Sequence, residues 1–205
     1  MGNPANTDHP IHDLLRERYS ARAYSDQPVD AETLLSVLEA ARWAPSSRNQ
    51  QPWRFIVAPK DDPAAYDKLF AVIKEGNQQW AGNAPVLMLA VAHTGSGDDY
   101  RQVALYDTGQ AVAYLTIQAQ ARGLSLRQMG GIHYDAAKAA YNIPDDYQVM
   151  VAIALGYAEA PESIPDTLAE RERKPRTRNP LHKMVFREWE QASPLLESNP
   201  EPAGD

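Results

Sequence analysis

The chain has 205 residues, of which 43% are hydrophobic and 23% are charged, and its formal net charge at pH 7 is -7. This composition predicts a globular domain that is large enough to bury its own core. The negative charge argues against broad electrostatic binding to nucleic acid or to an anionic membrane surface. The absence of cysteine excludes disulfides, thiol nucleophiles, iron–sulfur clusters and thiolate zinc sites.

The composition of the N-terminus and of the apolar runs predicts a cytoplasmic protein. Residues 1–9 are polar and lack the cationic run followed by an apolar core that a signal peptide requires. The longest apolar run, residues 84–92, is far too short to span a bilayer. A chain without disulfides also suits the cytoplasm. We therefore expect a cytoplasmic protein that has neither a membrane nor a nucleic acid as partner.

The N-terminal part of the chain predicts two helices and a strand. Pro10 suits the first position of a short amphipathic helix, which we expect to end near Arg18. Asp30 is a good N-cap for a second helix with a leucine-rich stripe, and Pro45 stops this helix. Aromatic and β-branched residues then predict a strand at residues 53–57.

The middle of the chain predicts a third helix, a buried strand and a long helix. Asp62, which a proline follows, begins the third helix. In residues 85–92, apolar and polar residues alternate too little for a half-exposed strand. We therefore expect this strand to be central in a sheet. A flexible loop at 94–99 leads into a helix over residues 100–122, which Gly123 ends as a C-cap. Many small residues in this helix predict close helix packing and a subunit interface.

After Gly123 the chain changes from regular elements to a proline-rich end. We expect a strand at 124–128, a helix at 135–141, a buried strand at 149–155 and a last helix from Pro180 through Trp189. The mixture of helices with about four strands predicts an α+β or α/β layer protein. We expect one domain over residues 1–193, which ends in an extended arm, and a disordered tail over residues 194–205.

Arginines near both ends of the chain form the first candidate site. Arg18, Ser20 and Arg22 lie close together in sequence, and Arg176 and Arg178 lie in a basic stretch near the C-terminus. Guanidinium groups bind phosphate through two parallel hydrogen bonds, and a hydroxyl adds a further donor. These residues are typical of a phosphate site, although their spacing alone leaves open that they are solvated surface arginines.

Two loops form the second candidate site. Pro45, Ser46 and Ser47 give a compact backbone, and Asn49 offers the amide donor and acceptor that a pyrimidine-like ring edge needs. Met129, Gly130 and Gly131 follow a predicted strand, where glycines let the backbone approach a planar ring. Taken alone, each loop also fits an ordinary turn.

The histidines and serines do not predict metal or acyl-transfer chemistry. The histidines lack metal-ligand spacing, and no serine lies in a nucleophile elbow. The glycines form neither a dinucleotide fingerprint nor a phosphate loop. We therefore expect no metal site and no side chain that acts as a catalytic acid, base or nucleophile.

In combination and in order, these segments resemble the nitroreductase family. Residues 18–24 resemble its Arg-x-Ser-x-Arg/Lys-x-aromatic opening, and residues 45–53 are similar to its Pro-Ser-x-x-Asn-x-Gln-Pro-Trp segment. Further matches lie at residues 76–80, 84–86, 129–131, 156–157 and 176–181. The likeness runs from about Ile11 to Val185, which is nearly the whole chain.

The resemblance implies a nitroreductase-like α+β fold and a homodimer that binds FMN. The fold has a mixed central sheet of about four strands with flanking helices, and its C-terminal arm embraces the partner subunit. Two FMN sites are built across the subunit interface. Pro45, Ser46, Ser47 and Asn49 would reach the cofactor from the partner subunit.

The resemblance also implies roles for the other site residues. Four residues would hold the phosphate: Arg18, Ser20, Arg176 and Arg178. Arg22 and Asn77 would face the N1/O2 edge of the flavin ring, although Trp80 stands where one branch of the family has a lysine. The turn at Met129, Gly130 and Gly131 would direct its glycine backbone toward N5 and O4.

The activity that the resemblance implies is a ping-pong reaction. NADH or NADPH would deliver hydride to flavin N5, and a nitroaromatic, a quinone or a related electrophile would then take the electrons. No residue of the chain would be catalytic, because the flavin carries the chemistry. Other flavin reactions stay open, namely dehalogenation, dehydrogenation and flavin fragmentation, and so does a flavin-binding module without turnover. The sequence does not name the acceptor or choose between NADH and NADPH.

Overall fold

The computed structural model describes residues 4–95 and 97–196. The chain divides into two compact units, Met1–Lys174 and Pro175–Asp205. The helices are α1 Asp13–Glu17, α2 Ala31–Arg42, α3 Pro63–Phe70, α4 Glu75–Ala81, α5 Asp98–Ala121, α6 Tyr134–Ala140 and α7 Asp166–Arg173. The strands are β1 Trp53–Pro59, β2 Val86–His93, β3 Ser125–Met129, β4 Tyr147–Gly156, β5 Phe186–Glu188 and β6 Gln191–Ala192.

The first unit is built on a four-stranded sheet in the order β1-β2-β4-β3. The two strands predicted to be buried, β2 and β4, occupy the two inner positions. All three ladders of this sheet are antiparallel, so the mixed sheet that the resemblance implies is a wrong expectation for these residues. The physical reason is the crossover through α5. After this crossover β3 runs in the same direction as β2. β4 lies between these two strands and runs in the opposite direction to both.

Each face of the sheet buries a separate apolar cluster. Leu87, Leu89 and Val91 on β2 pack in one cluster with side chains of α3 and α4, which include Leu69 and Trp80. The intervening residues Val86, Met88 and Ala90 pack in the other cluster with α2 and α5. Successive residues of a strand point to opposite faces, so an unbroken apolar run requires a helical layer on each side.

Most helix termini lie where capping chemistry predicts them. Asp30 accepts a hydrogen bond from the Thr33 N–H at 2.8 Å, and Asp62 caps α3 in the same way. Gly123, with φ of 74°, follows the end of α5 in the left-handed conformation that suits glycine. The first helix begins later than expected, because the imidazole of His12 caps it and Pro10 precedes it.

Two helices were not expected, because neither has a strong local signal. Helix α4 is polar, contains a glycine and has no side-chain cap, but it buries Trp80 and Ala81 against the core. Helix α7 lies in a charged and proline-rich region, and it buries Leu168 and Ala169. In both cases tertiary packing of a few apolar residues stabilises a helix that propensity alone does not predict.

The second unit differs from the predicted last helix. After a short 3₁₀ turn at Leu181–Lys183, β5 and β6 form a hairpin in place of a helix through Trp189. Glu190 adopts φ of 61°, which lets the chain turn tightly, and the rings of Phe186 and Trp189 lie 5.9 Å apart. Pro194–Leu196 form another 3₁₀ turn, and the rest of the predicted tail, 197–205, lies outside the described residues. The single domain over 1–193 stays a prediction.

Two kinds of feature are absent from the described ranges. Among the helices of residues 4–95 and 97–196, none is both long and apolar enough to cross a membrane. Within the same ranges, no group of three or more His, Asp or Glu side chains is arranged to hold a metal ion.

We expect Leu89→Ala to destabilise the protein strongly, because Leu89 is completely buried in the central strand β2. Removing a buried leucine typically costs about 2–5 kcal/mol of unfolding free energy, through lost burial and the cavity left behind. Denaturant unfolding measures this loss. The control Leu15→Ala changes a side chain that is 48% exposed and should cost less than about 0.5 kcal/mol. Equal losses in both variants would contradict the central position of β2.

Candidate functional site

Residues 18–22, which include the first of the predicted phosphate ligands, lie along β3. The buried hydroxyl of Ser125 accepts a hydrogen bond from the Ala21 N–H at 3.2 Å and donates one to the Tyr19 carbonyl at 3.1 Å. Two residues further along β3, the guanidinium of Arg127 donates to the Ser20 carbonyl. Alternate side chains on one face of β3 therefore hold the backbone of this segment.

The structure brings two of the predicted phosphate ligands together. The Arg18 guanidinium donates a hydrogen bond to the Ser20 hydroxyl at 3.1 Å. Both side chains are partly buried, and Arg18 directly follows α1. A guanidinium beside a hydroxyl, on a backbone that β3 fixes, is a suitable arrangement for an oxyanion.

Arg22 contacts an acidic residue that sequence reasoning missed. One carboxylate oxygen of Glu172, on α7, accepts from the Arg22 guanidinium at 2.5 Å, and the other accepts from the Arg22 backbone N–H at 3.3 Å. The two side chains are only 18% and 6% exposed. The available sequence signal was an acidic residue within the basic stretch 171–178.

Arg127 extends this charged cluster to α4. Its guanidinium lies 3.7 Å from the Glu172 carboxylate and 5.3 Å from the centre of the Trp80 ring. Burial lowers the pKa of Arg127, and the nearby charge of Arg22 lowers it further, while Glu172 acts in the opposite direction. Trp80, the residue that stands where one branch of the family has lysine, thus packs beneath a different cation.

The predicted glycine turn contacts the predicted asparagine. The Asn77 side-chain amide donates to the Gly131 carbonyl at 3.3 Å, and the Lys74 N–H donates to the same oxygen at 3.0 Å. A Cβ at position 131 would lie 2.5 Å from the Asn77 amide nitrogen, so a side chain there would displace the Asn77 amide. A Cβ at Gly130 would meet no atom within 4 Å and would project into open space.

Strand β3 separates these two groups of residues by a defined distance. Ser125, at its start, holds the segment with Arg18 and Ser20, and Met129, at its end, leads into the glycine turn. The four steps between them span roughly 13 Å at the usual rise of a strand. The site is therefore elongated, with cationic donors at one end and amides at the other.

The loop that begins at Pro45 is strained and is held by α5. Arg48, Asn49 and Gln51 have φ between 49° and 55°, a left-handed conformation that is costly for residues other than glycine. The buried carboxylate of Asp107 accepts a hydrogen bond from the Ser47 N–H at 2.9 Å. Within the loop, the Ser46 hydroxyl accepts from the Gln51 N–H at 3.0 Å. Strain that a fold maintains in this way often marks a functional loop.

This strained loop begins and ends in the layer opposite to the first group. Ala44 and Trp53, which flank the loop, pack in the cluster on the α2 and α5 face of the sheet. Ala21, Trp80 and Met129 pack in the cluster on the other face. One chain therefore anchors its two predicted binding segments in different layers.

The remaining predicted phosphate ligands, Arg176 and Arg178, belong to the second unit. The Arg178 guanidinium donates to the Thr177 carbonyl at 2.8 Å. Burial lowers the pKa of Arg176, and the like charge of Arg178 lowers it further. The like charges of Arg176 and Arg178 repel each other, and a bound anion would relieve this repulsion.

The chain combines a four-stranded α+β fold with donors that suit an oxyanion, and proteins with known features share this combination of sequence and fold to different extents. The family model described as Nitroreductase family matches residues 15–157, which is more than half of the chain. The chain belongs to the nitroreductase family. The match includes the Arg18–Arg22 segment, the strained loop and the glycine turn.

Individual proteins resemble the chain over different lengths. A solved structure of an oxidoreductase containing FMN is 35% identical, with a TM-score of 0.83, and covers 91% of this chain and 96% of that one. YfhC of Bacillus subtilis, named as a candidate NAD(P)H nitroreductase, is 27% identical over 74% of this chain and 87% of YfhC. A nitrobenzene nitroreductase of Ectopseudomonas oleovorans is 51% identical over 47 residues, which are 23% of this chain and 21% of that protein.

We expect Ser125→Ala to destabilise the segment that carries Arg18 and Ser20. The substitution removes a hydrogen-bond partner from a buried N–H and a carbonyl, which typically costs about 1–3 kcal/mol of unfolding free energy. Urea unfolding measures the loss. Ser163→Ala is the control, because its exposed hydroxyl donates to the Ala160 carbonyl within a turn, and we expect a change below about 0.5 kcal/mol. A loss at Ser125 as small as that at Ser163 would contradict the anchoring role.

Proposed function

We propose that this protein is an FMN-dependent NAD(P)H oxidoreductase that reduces nitroaromatics, quinones or related electrophiles. The observation that carries the proposal is the elongated site along β3, with Arg18 and Ser20 at one end and Asn77 and Gly131 at the other. The FMN in one solved relative and the NAD(P)H in the name of YfhC support this cofactor and this electron donor. The name of the nitrobenzene nitroreductase supports a nitroaromatic acceptor.

The chemistry of the donors fits FMN. A guanidinium and a hydroxyl suit the phosphate group, and the separation of the two ends suits a ribityl chain that leads to a flat ring. At the other end, the open space beside Gly130 allows a planar group to approach the backbone. The Asn77 amide and the backbone groups there can match the alternating donors and acceptors of a flavin edge.

We assign the residues as follows. The phosphate ligands are Arg18, Ser20, Arg176 and Arg178, and Met129, Gly130 and Gly131 form the turn that directs backbone N–H groups toward the ring. Arg22 and Asn77 face the N1/O2 edge, where the cation of Arg22 stabilises negative charge on the ring. Bound FMN would accept a hydride from NAD(P)H and pass electrons to the second substrate. The side chains bind and orient, and none needs to transfer a proton.

A homodimer is the assembly in which this site is complete. Helix α5 has apolar or small residues around its whole circumference, and its outward side exposes Val103, Tyr106 and Tyr114. Such a helix is normally covered on both sides, and a second copy of this chain would cover it. The strained loop then supplies Ser46 and Asn49 to the cofactor of the partner subunit. The extended C-terminal arm would embrace the partner in the same assembly.

The spectrum of the purified protein tests the proposed activity. We expect the protein to bind FMN with a change in flavin absorption and fluorescence, and anaerobic NADH or NADPH to bleach the visible band. A nitroaromatic or a quinone should then restore the band. A protein that leaves the spectrum of added FMN unchanged would refute the proposal. Bleaching without reoxidation by either acceptor would favour another flavin reaction, and bound FMN that neither nucleotide bleaches would favour a binding module.

We expect Arg18→Ala to weaken FMN binding roughly 10- to 100-fold, because it removes a charge-assisted hydrogen bond to the phosphate. Fluorescence titration of the apoprotein measures the dissociation constant. The matched control is Arg16→Ala, an exposed arginine two residues earlier, within α1, that pairs with Asp13 at 2.8 Å. Its affinity should change less than about twofold. Equal affinities of the two variants would contradict the assigned phosphate site.

We expect Tyr106→Glu to produce a monomer that loses FMN. Tyr106 is 70% exposed within one chain, so a charge there should leave the fold intact but oppose burial between two copies. Analytical ultracentrifugation and FMN titration measure the two effects. The control is Ala64→Glu, an exposed position on α3, which lies on the other face of the sheet. A dimeric Tyr106 variant with normal FMN affinity would contradict the proposed interface.

A further inference from the structure

We propose that Glu172 is the counter-ion that positions Arg22 and sets the net charge beside the flavin ring, and that it thereby limits how strongly the protein prefers reduced over oxidised FMN. The inference deepens the proposed function and rests on it, because it requires that Arg22 faces the ring. No acidic residue at this place was expected from the family motifs in the sequence.

The first reason is that Glu172 holds residue 22 by both its backbone and its side chain. The two carboxylate oxygens accept from the Arg22 N–H at 3.3 Å and from its guanidinium at 2.5 Å. The Glu172 side chain is only 6% exposed, so this pair is well shielded from screening by solvent. A charge fixed in this way determines where the guanidinium can point.

The second reason is the charge balance of the cluster. Arg22 and Arg127 carry two positive charges, and Glu172 carries one negative charge, which leaves a net charge of +1. Arg127 is 20% exposed and is held by the Ser20 carbonyl and the Trp80 ring, so it cannot easily move into solvent. Burial and the charge of Arg22 both lower the pKa of Arg127, so the three charges are electrostatically coupled.

The third reason is the direction of the effect on a bound flavin. The reduced ring carries negative charge at its N1 edge, so each additional positive charge nearby favours the reduced form. Glu172 compensates the charge of one of the two arginines and therefore weakens the preference for the reduced form. Without its charge, the same two guanidinium groups would stabilise the reduced form more strongly and would raise the midpoint potential of the cofactor.

Four forms of the holoenzyme test the inference by their charge balance. The cluster has a net charge of +1 in the wild type, +2 in Glu172→Gln, 0 in Arg127→Gln and +1 in the double variant, by counting Arg22, Arg127 and Glu172. The midpoint potential of bound FMN is measured by anaerobic spectroelectrochemistry, and the dissociation constant of oxidised FMN by fluorescence. Glutamine retains a hydrogen-bond acceptor for Arg22 while it removes the charge.

We expect the potential to follow the net charge. Glu172→Gln should raise it by about 30 mV, which for a two-electron couple is a tenfold shift in affinity toward reduced FMN. Arg127→Gln should lower it by a similar amount, and the double variant should return to the wild-type value. A merely structural role of Glu172 would not produce this return, because two disruptive substitutions would add.

The control is Glu170→Gln, an exposed acidic residue on the same helix, which should leave the potential unchanged. Should Glu172→Gln alone fail to fold, the comparison of Arg127→Gln with the double variant still isolates the charge of Glu172. Potentials that do not rise when this charge is removed would overturn the inference while leaving the proposed function intact. A wild-type protein that binds no FMN would instead refute the proposed function, and the inference with it.

Discussion

The burial of β2 and β4 on both faces is the constraint on which the rest of the structure depends. Because their apolar residues point to both sides, one layer of helices cannot cover them, and α2 with α5 and α3 with α4 pack on opposite faces. This layering assigns the helices α2 to α7 of the first unit to one side or the other. It separates the strained loop from the segment that contains Arg18, so that one chain holds these two predicted binding segments in different layers.

Side chains of strand β3 hold the N-terminal segment of the candidate site against this layered core. The residues of β3 alternate between the two faces, so that Ser125, Arg127 and Met129 share the side on which the N-terminal segment lies. Ser125 and Arg127 bind that segment through its backbone, and the Arg18 guanidinium donates to the Ser20 hydroxyl beside it. The end of the strand continues into the glycine turn, where a Cβ at Gly131 would displace the Asn77 amide.

The electrostatics of the site differ from those of the protein as a whole. A chain with a net charge of -7 gathers Arg18, Arg22 and Arg127 beside one short strand, and a buried acid partly compensates two of them. An attractive site for an anionic ligand thus coexists with an acidic surface. The shared carboxylate also reduces the repulsion between two partly buried guanidinium groups that lie close together.

The amino-acid sequence by itself determined the features that depend on neighbouring residues. Unbroken apolar runs identified the two inner strands, Asp30 and Asp62 marked helix starts, Gly123 marked a helix end, and ordered motifs indicated the family. Only the tertiary structure decided the antiparallel order of the sheet, the existence of α4 and α7, and the C-terminal hairpin. It also decided the partners of the site, since Ser125 binds Ala21 across 104 positions and Glu172 binds Arg22 across 150. Such pairs have no local signature, because the energy that forms them arises only when distant segments are packed together.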